Sequence, residues 1–194
     1  LALNERNEAK KQFQILFSIW NDNFHKLLFL GQIQRKNKFY QDAKVSLNKS
    51  LDLSPNFLYA KIELMRVYIA LEEFDVIKKA LPTMLAEFPD NANLRLISGD
   101  LAYHHKDYSS AQQEYTKALK QNFDYPLAAI KLYQLIRKHQ IGKQSFEEVI
   151  FHIIEDNDQV SFHRHIYADY LRSEHRFDEA NIYYKQLIAM SNFE

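Results

Sequence analysis

A spacing of 34 residues recurs in register along this chain. Gly31 and Gly99 stand 68 apart, two periods, and Pro55 and Pro89 stand 34 apart. The segments Phe39-Tyr40-Gln41-Asp42-Ala43, Glu73-Phe74-Asp75, Asp107-Tyr108-Ser109-Ser110-Ala111 and Arg176-Phe177-Asp178-Glu179-Ala180 read as the same corner. A fixed period of this length predicts a solenoid, in which stability comes from stacking neighbouring units rather than from one central core.

Within each period the apolar residues fall at spacings of three and four, the signature of amphipathic helices. Leu27, Leu30, Gly31 and Ile33 mark a first helix A, and Ala43, Leu47, Ser50 and Leu51 a second helix B, ended at Ser54-Pro55. Only 3 Gly and 4 Pro occur in 194 residues, which favours long helices and short turns. The expected repeats are 24–57, 58–91, 92–125, a degenerate 126–160, and 161–194, which needs one extra residue. Residues 1–23 read as the B helix of a repeat whose A helix is missing. The total is about five and a half helix-turn-helix units in a single solenoid over 1–194. Pro82 inside a B helix predicts a kink or a break. Gly142 replaces the aromatic corner residue of the fourth repeat.

The residue types exclude much. Net charge is zero, from 25 basic and 25 acidic residues, so no basic field for nucleic acid exists. The absence of Cys removes disulfides and thiolate metal sites. No run of about 18 apolar residues is present to span a membrane. The chain begins with Leu already in a helical pattern, so it reads as a piece of a longer protein whose targeting segment would lie upstream; its compartment stays open.

These residues resemble the tetratricopeptide repeat family, best through Gly99, Tyr108, Ala111, Tyr115 and Ala118. Leu27, Leu30, Gly31, Tyr40, Ala43 and Pro55 match nearly as well, as do Phe177, Ala180 and Tyr184. The resemblance covers essentially the whole chain and implies an all-α, right-handed superhelix of helix pairs. The segments Glu87-Phe88-Pro89-Asp90-Asn91 and Gly99-Asp100-Leu101 also resemble, in style, bacterial repeat lipoproteins tied to exopolysaccharide export.

The resemblance implies that A helices line a concave groove. By register its slots are His25, Leu28, Gln32 and Arg35; Tyr59, Ile62, Arg66 and Ile69; Asn93, Leu96, Asp100 and Tyr103; Leu127, Ile130, Gln134 and Arg137; and Phe162, His165, Asp169 and Arg172. An apolar row (Leu28, Ile62, Leu96, Ile130) flanked by Arg35, Arg66, Arg137 and Arg172 suits a protein or peptide segment with apolar anchors and acidic residues. The same row could instead pack between neighbouring A helices. The family's carboxylate clamp is missing: its slots hold Leu28, Gln32 and Ile62.

Catalysis and cofactors are not expected. His165 and Asp169 are four apart and could share a metal on one helix face, but no His-Glu-x-x-His occurs. The pairs Glu72-Glu73, Glu147-Glu148 and Glu155-Asp156 lie near helix ends or on polar faces; a helix N-terminus accounts for Glu147-Glu148 without catalysis. No phosphate-cradling loop or nucleophile elbow is present. The leading expectation is a non-catalytic binding scaffold. The alternative is a self-associating structural spacer of a larger envelope or export assembly, with Phe123, Phe151 and Tyr183 on outer B faces mediating stacking.

Overall fold

The computed structural model describes residues 3–122, 125–156 and 161–191. Among them are eleven α-helices: α1 (Leu3–Trp20), α2 (Phe24–Lys36), α3 (Tyr40–Leu53), α4 (Leu58–Ala70), α5 (Phe74–Glu87), α6 (Ala92–His104), α7 (Tyr108–Gln121), α8 (Pro126–His139), α9 (Lys143–Asp156), α10 (Ser161–Ser173) and α11 (Phe177–Ser191). The architecture is an all-α helical repeat array. Phe123, Val160 and the outermost residues of the expected first and last segments lie outside the described residues.

Helix starts follow side-chain chemistry in three places. The Asn23 Oδ1 accepts the Lys26 N–H at 3.0 Å, Asn91 Oδ1 accepts those of Asn93 and Leu94, and Asp107 Oδ1 accepts that of Ser110 at 3.0 Å. Each satisfies donors that a helix N-terminus leaves without intrahelical partners. The Ser110 bonds also hold the Asp107 carboxyl below its ordinary pKa.

The A-to-B corners share one device. Lys38, Glu72, Lys106, Gln140 and His175 all adopt a left-handed backbone, with φ between 58° and 64°. They are spaced by 34, 34, 34 and 35 residues. At four of the five corners the next N–H reaches back five residues: Phe39 to Gln34 O, Glu73 to Tyr68 O, Asp107 to Ala102 O and Arg176 to Leu171 O, at 2.8–3.0 Å. This is the Schellman closure of a helix C-terminus, here made without glycine. The fourth corner differs: Gln140 N–H bonds Ile136 O, and Gly142 takes φ +89° just before α9.

The chain divides into two compact units, Leu1–Ala80 and Leu81–Glu194. The division falls within α5, which runs as one helix through Pro82. The expected break is therefore not there. Pro82 is exposed on α5, so its ring and missing N–H face solvent.

In the first unit Ala43, Leu47, Leu64 and Val67 form a buried cluster, with Leu28, Tyr40 and Tyr68 against its edge. Gly31 is spent on helix contact: a Cβ there would lie 2.6 Å from Leu47 Cγ. In the second unit a larger core joins Leu96, Tyr115, Leu132, Phe146, Ile150 and Tyr170. A Cβ on Gly99 would lie 2.4 Å from the Tyr115 ring, so α6 and α7 meet at a distance only glycine permits.

Candidate functional site: the A-helix faces

Each unit presents its own A-helix face. In the first unit this face belongs to α2 and α4, which are joined by charge. Glu63 is buried, and its carboxylate accepts Arg35 Nε at 2.8 Å and Arg66 Nη1. A buried carboxylate is tolerated because guanidinium donors replace its lost water. Both arginines remain about a quarter exposed, so one anion organises two cations at the surface. One carboxylate against two guanidiniums leaves a net positive spot.

The opposite end of that face is aromatic. The His25 ring lies tilted against Phe24, centroids 3.9 Å apart, and meets Phe57 edge-on at 5.3 Å. Tyr59, 65% exposed, lies 6.0 Å from Phe57. Leu28 and Gln32 are half-buried between the two ends, and Ile69 is half-buried beyond Arg66 on α4.

In the second unit the A-helix face belongs to α6, α8 and α10. Asp100 accepts the Tyr115 hydroxyl at 2.8 Å and Lys131 Nζ at 2.8 Å, tying α6 to α7 and α8. The Tyr133 hydroxyl donates to Asp169 O at 3.3 Å, tying α8 to α10. Asp169 Oδ1 accepts the Tyr184 hydroxyl at 2.7 Å and lies 3.3 Å from Arg172; His165 Nδ1 stands 3.8 Å from Oδ2. Burial, with Asp100 as acceptor, pushes the Tyr115 phenol up, and burial with Asp169 pushes Tyr184 up to about 12.

Leu127 and Phe162 are exposed in the first turns of α8 and α10, and Arg137 and Arg172 are exposed in their last turns. Gln134 is exposed and Ile130 half-buried between them. Asn93 accepts the Tyr125 hydroxyl at 2.8 Å, and Tyr103 reaches His139 Nε2 at 3.3 Å. The His139 ring stacks on Tyr108 at 3.7 Å, so Tyr103 is held inside an aromatic group.

The expected apolar floor does not exist in the expected form. Ile62 is 3% exposed and Leu96 2%, both inside the cores of their units. Leu96 belongs to the large core cluster of the second unit. Leu28 and Ile130 are only half-buried at core margins. The exposed apolar contact on these faces comes one turn earlier, from Tyr59, Leu127 and Phe162.

Two other readings change as well. Glu147 is not held by a helix N-terminus: its carboxylate accepts the Tyr170 hydroxyl at 2.6 Å and Arg176 at 2.9 Å. Tyr183 is half-buried against Tyr167, ring centroids 5.0 Å apart, whereas Phe151 is exposed. Among the described residues no group of three His, Asp or Glu side chains is placed to hold a metal ion, and no helix is long and apolar enough to cross a membrane.

The Glu63 bridge and the Tyr–Asp bonds escaped the sequence reading. The second had a visible trace: Asp100/Tyr115 and Asp169/Tyr184 share a separation of 15 residues. The first had none, because nothing local distinguishes Glu63 from a solvated glutamate.

No family model and no curated protein matches the sequence. Solved structures do. PilF of Pseudomonas aeruginosa is similar at 22% identity and TM-score 0.62, over 86% of this chain and 75% of that one. A tetratricopeptide repeat protein from Parabacteroides merdae is similar at 12% identity and TM-score 0.64, over 96% and 74%. YrrB, described as a TPR protein with an unusual peptide-binding site, is similar at 12% identity and TM-score 0.51, over 91% of both chains.

Proposed function

We propose that this chain, which has the tetratricopeptide-repeat fold, is a non-catalytic scaffold whose A-helix faces hold an extended peptide or protein segment carrying both apolar and acidic side chains. One observation supports this most directly. On α2, α8 and α10 an exposed ring or apolar side chain in the first turn is followed ten residues later by arginine: His25 and Arg35, Leu127 and Arg137, Phe162 and Arg172. Ten residues of helix rise about 15 Å. An extended segment spans that with about five residues.

The chemistry of the two ends differs in a useful way. The apolar end supplies contact area that water leaves readily. The guanidinium end supplies charge-assisted, bidentate recognition of a carboxylate. The helices carrying them are cross-tied by Arg35–Glu63, Lys131–Asp100 and Tyr133–Asp169. The face is thus ordered before a ligand arrives, which lowers the entropic cost of binding.

A displayed random-peptide library, selected on the whole chain, tests the reading. Peptides enriched on the wild type should combine acidic with aromatic or aliphatic residues. They should lose roughly tenfold or more in affinity on Arg137→Glu/Arg172→Glu and on Leu127→Glu/Phe162→Glu, since each charged or apolar anchor is worth about 1–2 kcal/mol. Peptides that bind both variants as well as wild type would sink it.

A further inference from the structure

In the first unit a cavity of about 180 Å³ lies where α1, α2 and α3 meet. Phe13 and Phe17 line it from α1, Gln34 from α2, and Asp42, Val45 and Ser46 from α3. The α1 pair stands one turn apart and so do Asp42 and Ser46, so each helix turns one face to the same space. Phe13 meets the Phe39 ring edge-on at 5.3 Å, which fixes one wall. Val45, 57% exposed, stands at the solvent side. The volume suits one six-membered ring, since an apolar cavity of about 150 Å³ takes benzene. It falls short of the roughly 300–1,000 Å³ of small-molecule sites.

The walls are apolar and the floor is not. Gln34 and Ser46 are both fully buried, and the Ser46 hydroxyl donates to Gln34 Oε1 at 2.8 Å. The Gln34 amide nitrogen donates to no other described residue. An amide carries two N–H donors, and leaving them unmet in a buried side chain is costly. Asp42 is half-buried one turn before Ser46, and its carboxylate accepts no hydrogen bond from a described side chain. The cavity thus offers an apolar slot, a donor and an acceptor.

These features select the occupant. A carboxylate would meet Asp42, a like charge. An ammonium or guanidinium cannot accept from the Gln34 N–H groups. A hydrocarbon ring would fill the slot and leave the amide unmatched. A phenol meets all three demands: its ring packs against Phe13 and Phe17, its oxygen accepts from Gln34, and its proton goes to Asp42. We propose that this cavity receives the side chain of a tyrosine on a partner protein. Its small volume and open side suit one protruding side chain rather than a free cofactor. The site goes beyond the A-helix faces, because none of its residues belongs to them.

The test titrates the isotope-labelled whole chain with p-cresol, which is the tyrosine side chain in isolation, and with toluene. p-Cresol should shift the Gln34 side-chain amide resonances and bind about tenfold more tightly than toluene, since only the phenol engages both polar groups. Gln34→Met keeps the volume without the donors and should abolish that preference. Asp42→Ala leaves the buried floor intact and should reduce the preference severalfold. Val45→Trp, at an exposed position, should close the opening and remove binding of both probes with circular dichroism unchanged. Equal affinity for p-cresol and toluene, or an undiminished preference in Asp42→Ala, overturns the phenol site. The source is read with acetyl-Ala-Ala-Tyr-Ala-Ala-amide. It should reproduce the p-cresol shifts, and its Phe counterpart should bind about tenfold more weakly. A chain that takes p-cresol and excludes the tyrosine peptide overturns the partner side chain. Capture of library peptides by the A-helix faces should be unchanged in Val45→Trp, so the two readings fail separately.

Discussion

The Tyr115 hydroxyl donates to Asp100 across 2.8 Å, and Tyr184 makes the same bond to Asp169 at 2.7 Å, each tyrosine lying 15 residues after its aspartate. In both cases a B helix fixes a carboxylate on the neighbouring A helix, and a cation approaches the same oxygen, Oδ1: Lys131 on Asp100, Arg172 on Asp169. The aspartates are thereby shared between the core and the A-helix face. Tyr184→Phe removes the second of these bonds and should lower stability by about 1 kcal/mol, read from urea unfolding at neutral pH.

The same phenol sets an alkaline limit. Tyr184 is raised to about 12 from 10.0, chiefly by burial and then by Asp169. The unfolded chain loses this proton first as pH rises, so the contribution is complete below about 10 and is lost as pH passes through 12. Stability should fall across that window. The fall should be shallower in Tyr184→Phe than in wild type, with the remainder carried by other raised tyrosines such as Tyr167, also at about 12. Equal slopes in the two proteins would show that Tyr184 ionises in the folded state as it does unfolded.

Gly99→Ala should destabilise the second unit by about 1–3 kcal/mol, the usual range for overpacking a filled core. The added methyl would stand 2.4 Å and 2.5 Å from two Tyr115 ring atoms. That ring is fully buried and its hydroxyl is anchored on Asp100, so it cannot swing aside without losing the bond. Differential scanning calorimetry of the single variant and of Gly99→Ala/Tyr115→Leu checks the cause. The second change should recover part of the loss by making room.

Ile62→Ala should cost about 2–5 kcal/mol, as a buried aliphatic truncation does, and Ile62→Glu should unfold the first unit by placing a charge among apolar groups. Both effects should appear in chemical unfolding without any ligand. Arg137→Glu, on an exposed side chain, should leave stability within about 0.5 kcal/mol of wild type. A wild-type unfolding midpoint for Ile62→Glu would mean that this position is open to solvent after all.

Much of this architecture was written in periodicity. Apolar spacings of three and four, the recurring corner and the scarcity of glycine and proline specify helix pairs because each helix must bury one stripe. Gly31 and Gly99 marked the close contacts in advance, since no other residue leaves room for Leu47 and Tyr115. The left-handed corners were not legible: Lys38, Glu72, Lys106, Gln140 and His175 carry four different side-chain types, none of them glycine. Their conformation is imposed by the helices on either side, which close the turn through backbone bonds.

Tertiary packing alone decided which A-helix residues face solvent. Register placed Ile62, Leu96, Tyr59 and Leu127 all among the expected groove slots, yet the first two are core and the last two exposed. A helix with a repeat of 3.6 residues has no sharp edge between its buried and open sides, so the approach of the next helix sets the border. Glu63 follows the same logic. Its sequence neighbours say nothing of burial, and the arrival of Arg35 from another helix, beside Arg66 of its own, makes a buried carboxylate stable.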